Sequence, residues 1–527
     1  MFIKADIGVI GGGPAGLAAA CEAARLQAKV VVIDENSQPG GQLTKQIHKF
    51  FGASSHGAGT RGIDLAGKLV DEAMSLGVLF ISGAVVYAIF DGGRIVEFHD
   101  ELATHALDAR HLILATGASE NALAFPGWTK PGVMTAGALQ TMMNIHRVLP
   151  ARRILMVGAG NVGLIVSYQA MQAGAEIVAV LEAEPHVGGY SVHATKLERM
   201  GVPILTSTTL SRVMGERLVH KAEIVSLSET RQCIPGSERW LDTDLVCLAV
   251  GLSPLVELPA MAGCRLEYSP VLGGLVPWHD RNMRTSLPSL FVAGDVSGVE
   301  EASTAIEQGR LAGIGAAESL GLISPAAAKV QKEDIYGNLN LLRSGSKGKL
   351  IAVAKARLSG YERECFAPAP EPPQQPALQP RKPNGGHGVA IIECPEQIPC
   401  NPCVQACPFD AISIAGGITA LPILDPGLCT GCGSCVPRCP GMAIYVLNRN
   451  YAPGKAALAI PYEFLPLPIE GQTAEVVDRR GGYVCQGQVA KIRIVKDYDR
   501  TPVITVRFPV EYVDAARFIR RLTHEQP

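Results

Sequence analysis

Apolar and small residues in the first 35 positions fall in the order strand, turn, helix, strand. DIGVI (6–10) is a short apolar run, GGGPAG (11–16) a turn, GLAAACEAARL (16–26) a helix and KVVVID (29–34) a second strand. The same order returns from Arg153, where RILMV (153–157) precedes the turn GAGNVG (158–163), the helix LIVSYQAMQAG (164–174) and the strand EIVAVLE (176–182). Two such units predict two nucleotide-binding folds in series, each with a parallel sheet and a ligand crevice at the strand C-terminal ends. TSLPSLFVAGD (285–295) and EASTAIEQGRLAGIGAAESL (301–320) read as a strand and helix returning to the first domain. Three alternating runs near the C-terminus, AEVVD (474–478), QVAKIRIV (488–495) and PVITVRF (502–508), predict strands, followed by a short helix over 513–522.

Between 367 and 388 the pattern is lost to proline, glutamine and glycine, which predicts an extended linker separating independently folding parts. The expected organisation is a discontinuous nucleotide-binding domain over 1–120 and 280–325, a second nucleotide-binding domain over 121–279 and a connecting segment over 326–366. After the linker come a cysteine-rich module over 389–450 and a β-rich region over 451–527. The fold class is α/β: two Rossmann-like domains followed by an α+β module, the cysteine-rich one, and the small β-rich region. The net charge of -2 gives no bulk attraction to nucleic acid. No apolar run approaches the roughly 18 residues of a membrane span, and MFIKADIGVIGGG lacks a signal-peptide pattern, so a cytoplasmic location is expected.

In GGGPAG, Gly11 permits the tight turn, Gly13 lets the backbone approach a pyrophosphate, and Gly16 allows the helix to pack close to the strand, with Pro14 and Ala15 opening the helix. Asp34 stands where a ribose hydroxyl would be bound, with Glu35 as its neighbouring candidate. PGGQL (39–43, with Gly41 and Gln42), LILATGA (112–118, with Ala115, Thr116 and Gly117) and LFVAGD (290–295, with Gly294 and Asp295) resemble the successive signatures of the two-dinucleotide-domain flavoproteins, which include thioredoxin reductase and glutathione reductase. That resemblance covers about the first 325 residues and implies FAD. It also implies that Asp295 binds the ribityl chain or a phosphate and that the helix from Ala302 aims its positive end at the flavin. The alternative for Asp295 is a helix cap. The disulfide reductases of this superfamily use a cysteine pair beside the flavin, whereas no cysteine occurs here between Cys21 and Cys233. Disulfide reduction is therefore not expected.

The second turn carries Gly158, Gly160 and Gly163 at the same spacing, and Glu182 closes the following strand. An acid there favours a free ribose 2′-hydroxyl and repels a 2′-phosphate, so a nicotinamide ligand would be NAD. NAD, an adenine nucleotide without a redox role, and an empty fold remain open.

Eight of the 14 cysteines fall between Cys394 and Cys439. Cys429, Cys432, Cys435 and Cys439 form the C-x2-C-x2-C-x3-C-P run of bacterial ferredoxins, and Cys394, Cys400, Cys403 and Cys407 form C-x5-C-x2-C-x3-C-P. FDAISI (409–414) and GMAIYV (441–446) are matching halves of an internal repeat. The module resembles a two-cluster ferredoxin. The resemblance implies one 4Fe-4S cluster on Cys394, Cys400, Cys403 and Cys439, and another on Cys429, Cys432, Cys435 and Cys407. Zinc is the alternative for paired cysteines, and the five-residue gap after Cys394 departs from the simple pattern. Cys233, Cys247, Cys264, Cys365 and Cys485 read as packing residues, as does Cys21. Lys45 and His48 follow the GGQ turn and fit a flavin environment or a surface loop.

The combination resembles the larger flavoprotein subunits of heteromeric dye-linked amino-acid dehydrogenases, the group that oxidises proline, hydroxyproline, sarcosine and opines. This implies an electron-handling subunit in a hetero-oligomer. Its partners would be a D-amino-acid-oxidase-like FAD subunit that oxidises the C–N bond, an electron acceptor and a small iron-sulfur subunit. No residue is assigned to catalysis. Rival readings are a self-sufficient NADH-dependent ferredoxin-type oxidoreductase and a non-catalytic relay or scaffold subunit.

Overall fold

The computed structural model describes residues 2–359 and 387–522. The chain divides into two compact units. One comprises the described parts of Met1–Gln46, Ser55–Glu120 and Gly251–Glu371, and the other those of Ile47–Ser54, Asn121–Val250 and Pro372–Pro527. Apart from His387 and Gly388, the expected linker over 367–388 lies outside the described residues, as does Cys365.

In the first unit, Val30–Asp34 runs parallel to Phe2–Ile10, and all five of its residues are buried. Burial on both faces explains the continuous VVVI run. Thr104–Leu114 lies parallel on the other side of Phe2–Ile10, and Leu290–Val292 joins its end with Leu290 opposite Leu112. Residues 285–320 thus return to the first sheet. The helices Pro14–Arg25 and Ala302–Ser319 pack backbone to backbone. A Cβ at Gly309 would collide with the Ala15 carbonyl, and one at Gly313 would meet the Ala19 carbonyl at 2.5 Å. The strand Leu252–Pro254 pairs antiparallel with Ala118–Glu120. That pairing draws the chain back into the first unit after Val250, ahead of the boundary placed at 279/280 from the sequence.

In the second unit, Arg153–Val157 lies between Glu176–Leu181 and Leu245–Leu248 in a parallel sheet. Val389–Ile392 and Ile444–Ala452 of the cysteine module share a seven-stranded antiparallel sheet with the C-terminal strands Lys455–Pro461, Val503–Pro509, Tyr483–Arg493 and Thr473–Val477. A continuous apolar core runs from Met156, Val166 and Tyr168 of the second nucleotide fold to Tyr445, Tyr462, Phe464 and Phe508. The Tyr168 and Phe464 rings meet edge-on at 5.1 Å. The cysteine module is therefore not a free-standing fold. Its sheet exposes an apolar face that the helix Asn161–Ala173 helps to cover, and burying that face drives the two together.

The helix expected over 513–522 does not form. A 3₁₀ turn at Val510–Tyr512 leads to a short strand, Phe518–Ile519, which pairs with Val476 and Val477. Phe518 and Ile519 are both buried, and an edge strand lets adjacent side chains enter opposite faces. Cys233, read as packing, is exposed in the loop before Arg239–Asp242; Cys21, Cys247, Cys264 and Cys485 are buried. Among the described residues, no helix is long and apolar enough to cross a membrane.

Candidate functional site: two glycine cradles and two cysteine cavities

Gly11 has φ +101°, and a Cβ there would strike the Ala115 carbonyl, so only glycine makes this turn. A Cβ on Gly16 would strike the Gly11 oxygen, whereas Gly13 faces open space with Gly41 Cα 4.0 Å away. The turn thus offers an accessible backbone cradle. The following helix has no side-chain cap, so its first N–H groups remain available to an anion. Asp34 is buried. Its Oδ2 accepts the Gly12 N–H at 2.5 Å, and its Oδ1 accepts the Asn36 N–H at 2.7 Å. The Gly40 N–H donates to the Gly12 carbonyl at 2.7 Å, folding PGGQL onto the turn. Glu35 and Gln42 point to solvent.

The two later signatures meet the same turn. The Ala115 N–H donates to the Ile10 carbonyl at 2.8 Å, and Thr116 Oγ1 donates to the Leu255 carbonyl at 3.1 Å, with Gly117 following at φ +76°. A Cβ on Gly294 would come within 2.8 Å of Ala15 Cβ. Asp295 Oδ1 accepts the Glu300 N–H at 3.1 Å, and burial pushes its carboxyl up to about 6. The helix beginning at Ala302 has Glu301 at its N-cap and no side-chain cap, so Asp295 is not its capping residue.

Beside this signature lies a charged cluster that no local pattern announced. Glu300 pairs with Arg343 at 2.7 Å and with Lys355 at 3.1 Å, both from the connecting segment. Burial raises the Glu300 carboxyl and the two cations lower it further, for a net value of about 2. Lys355 also donates to the Ser297 carbonyl at 3.0 Å.

The second turn repeats the first. Gly158 has φ +107°, a Cβ there would strike the Ala249 carbonyl, and Gly160 has nothing within 4 Å of a built Cβ. Gly163 lies under the Gly158 oxygen, as Gly16 lies under that of Gly11. Glu182 Oε2 accepts the Ala159 N–H and its Oε1 accepts the Glu184 N–H, both at 3.0 Å, matching the Asp34 pattern. A Gly-Gly loop closes here too, with the Gly189 N–H donating to the Ala159 carbonyl at 2.7 Å and the Tyr190 N–H to Asn161 Oδ1 at 2.7 Å.

The eight module cysteines divide between two cavities. Cys394, Cys400, Cys403 and Cys439 line one, with Phe51 and Val192; Cys407, Cys429, Cys432 and Cys435 line the other. This is the crossed partition implied by the ferredoxin resemblance, and Cys394 stands with its set despite the longer gap. A zinc site would draw its thiolates in to about 2.3 Å from one ion. Among the described residues, no three His, Cys, Asp or Glu side chains converge on a single-ion position. Backbone N–H groups of Ala443, Ala411 and Ala390 reach the sulfurs of Cys439, Cys407 and Cys429 at 3.4, 3.3 and 3.5 Å. Burial, reinforced by neighbouring thiols, pushes Cys394, Cys403 and Cys435 up to about 12. Thiolates in such surroundings would need a bound cation to offset their charge. Cys432 is exposed; burial raises its thiol, but hydrogen bonds with Ser434 and Thr430 and the Arg493 charge together hold it below the usual range.

The five residues between Cys394 and Cys400 have a structural use. Glu396 Oε2 accepts the Ser191 N–H at 2.7 Å, and Ile398 packs on Val192 and Ala443. The segment Ile47–Ser54, soon after Lys45, also packs on the module. Lys49 Nζ donates to the Pro437 carbonyl at 2.5 Å and to Thr501 Oγ1 at 2.9 Å, and the Asn401 N–H donates to the Gly52 carbonyl at 3.1 Å. His48 Nδ1 lies 3.4 Å from Gln169 Nε2. Lys196 and Arg199, on the helix Ser191–Arg199, are buried near Cys439. The sequence reading missed Lys49, Lys196 and Arg199, whose partners lie hundreds of residues away.

Residues 5–309 match the family model described as pyridine nucleotide-disulphide oxidoreductase, and residues 398–443 match a 4Fe-4S dicluster domain, which begins after Cys394. An opine oxidase subunit of Agrobacterium tumefaciens (strain Ach5) is 31% identical over 344 residues, which cover 60% of this chain and 66% of that protein. The alpha subunit of sarcosine oxidase from Rhizobium meliloti (strain 1021) is 27% identical, with 63% of this chain and 32% of that protein covered. The chain thus spans just under two thirds of the first relative and about a third of the second. The crystal structure of thioredoxin reductase from Lactococcus lactis shares the fold, at TM-score 0.51 and 20% identity, over 61% of this chain and 100% of that one. Among the described residues of the first unit, no cysteine pair stands beside the glycine turn. That unit's described cysteines, Cys21 and Cys264, are both buried, and burial pushes Cys21 up to about 12. The glycine cradle, the crossed cysteine cavities and both family matches make the protein an FAD-dependent oxidoreductase with a 4Fe-4S dicluster domain, and the chain belongs to the pyridine nucleotide-disulphide oxidoreductase family.

Proposed function

We propose that this chain is the electron-handling subunit of a heteromeric dehydrogenase acting on a secondary amino acid such as proline, hydroxyproline or sarcosine. The observation that carries the proposal is the presence, in one chain, of an open Gly13–Asp34 cradle and two four-cysteine cavities. Subunits of an opine oxidase and a sarcosine oxidase among its relatives support that substrate class. In this reading Gly11, Gly13, Ala15, Gly16, Asp34 and Gly41 hold the FAD pyrophosphate and ribose. Ala115–Gly117, Gly294, Asp295 and Ala302 hold the rest of that cofactor. The cavity of Cys394, Cys400, Cys403 and Cys439 takes one 4Fe-4S cluster, and that of Cys407, Cys429, Cys432 and Cys435 takes the other.

Bound FAD supplies the exchange between two-electron and one-electron chemistry, and the clusters carry single electrons. A D-amino-acid-oxidase-like FAD subunit would oxidise the substrate C–N bond, while an electron acceptor and a small iron-sulfur subunit would complete the assembly.

The second fold is assigned an adenine nucleotide with a free 2′-hydroxyl, held by Gly158, Gly160, Gly163 and Glu182. Its support is that the hydrogen bonds of Glu182 reproduce those of Asp34. Anaerobic purification followed by flavin, iron and partner quantification tests the whole reading. The expected result is one FAD, about eight iron atoms and a co-purifying flavoprotein subunit, since two cubanes hold four irons each. Stoichiometric zinc without iron would overturn it.

A further inference from the structure

The cavity of Cys394, Cys400, Cys403 and Cys439 is walled by apolar groups, including Phe51, Val192 and Ile398. An electron added to a cluster in such surroundings costs more than in water, because the extra negative charge is poorly solvated. The second cavity is less enclosed at one ligand, since Cys432 is exposed. The levers that can offset burial are hydrogen bonds to sulfur and nearby charge. Of the four cysteines in the first set, Cys439 accepts the Ala443 N–H, and two buried cations act on it electrostatically, Lys196 and Arg199.

Both cations come from the helix Ser191–Arg199 of the second nucleotide fold, whose Val192 lines the cluster cavity itself. The Arg199 guanidinium donates to the Met442 carbonyl at 3.1 Å, and Glu393 faces its charge. Lys196 lies with Cys439, Tyr168 and Glu463 around a third cavity, its ammonium 4.6 Å above the Tyr168 ring. Glu463 is held by Thr501 Oγ1 at 2.5 Å and Gln172 Nε2 at 3.1 Å. Removing Lys196 would therefore take away a cation and leave the Glu463 carboxylate, and both changes oppose reduction of the cluster.

We propose that Lys196 is a positioning residue for electron transfer: its buried charge beside Cys439 raises the reduction potential of the cluster on Cys394, Cys400, Cys403 and Cys439. This rests on the cluster assignment above. The electron is supplied by a reduced donor, either the flavin in turnover or dithionite in the test, and one electron enters the cluster per reduction. A lysine present only for packing would leave the potential unchanged when replaced by a residue of similar length.

The test is an anaerobic, mediator-poised redox titration of the full chain followed by EPR, comparing the parent protein with Lys196→Met and Lys196→Arg. Lys196→Met should move one midpoint to more negative values by tens of millivolts, about 60 mV being tenfold in a one-electron equilibrium. The other midpoint should stay in place, and Lys196→Arg should restore the first. Lys196→Gln, which keeps a polar end in the cavity, provides a second neutral variant if the methionine protein does not assemble. Two unchanged midpoints in a neutral variant with full iron content, or equal movement of both, would overturn the role of Lys196. Absence of iron from the parent protein would instead overturn the cluster assignment on which it rests.

Discussion

Ser191 donates its backbone N–H to Glu396 Oε2 at 2.7 Å, joining the first turn of a helix in the second nucleotide fold to the loop between Cys394 and Cys400. That helix has Tyr190 at its N-cap without a side-chain cap, so Glu396 satisfies from outside a donor that its own sequence leaves open. The longer cysteine gap thus provides a docking residue. Glu396→Ala should destabilise the second unit by about 0.5–2 kcal/mol, as loss of a cap does. Urea unfolding would measure it, and iron should be lost faster in air as the loop holding Cys394 loosens.

Asp34 and Glu182 make the same pair of backbone hydrogen bonds in two different folds. Asp34→Ala should weaken FAD retention on gel filtration. Glu182→Ala should keep FAD and lose only adenine nucleotide binding, measured by calorimetry. Equal FAD loss in both variants would contradict two separate sites.

His279 and Glu300 should weaken the first unit in two acid stages, opposed between about pH 6 and 3.8 by Asp295, whose raised carboxyl takes up its proton first in the folded chain. Buried His279 has its pKa lowered to about 3, first by burial and then by the Lys355 charge. Below about 6.5 the unfolded chain takes up a proton that the folded one refuses, and stability falls. Glu300, lowered to about 2, contributes fully above its ordinary 4.5, and that contribution is lost as pH falls toward 2. Glu300→Gln should remove the lower stage and keep the upper in a pH series of FAD release. At neutral pH it should cost about 3–5 kcal/mol, because Arg343 and Lys355 would be left unpaired.

Cys432→Ser should remove one cluster and leave the flavin, because Cys432 and the Gly13–Asp34 cradle belong to different compact units. Iron should fall from about eight atoms toward four while flavin absorbance is retained. Phe464→Ala should act differently. It would open the core shared by the second nucleotide fold and the module, costing about 3–5 kcal/mol and unfolding both in one transition by calorimetry.

The isolated chain, holding FAD and both clusters, should not reduce a dye with an amino acid, because in the proposed reading a partner subunit supplies the site that binds the amine and carboxylate. Adding the D-amino-acid-oxidase-like subunit should restore turnover. Dye reduction by the chain alone at the rate of the complex would refute the division of labour.

What the sequence alone determined is the chemistry that depends on neighbours in the chain. Gly11 and Gly158 were legible because a left-handed turn between strand and helix accepts little else. Asp34 and Glu182 were read from their place at a strand end; the two cysteine runs showed in their spacing, and their division into two crossed sets was what the ferredoxin resemblance implied. Tertiary structure decided what lies across the chain. Lys49 meets Pro437 388 residues away, and Ser191 meets Glu396 205 residues away. Glu300 draws in Arg343 and Lys355, Leu252–Pro254 returns the chain to the first unit, and Phe518–Ile519 becomes an edge strand. None of these has a local signature. A lysine in a helix reads the same whether it faces water or a cysteine cavity, and only the burial of shared apolar faces determines which it meets.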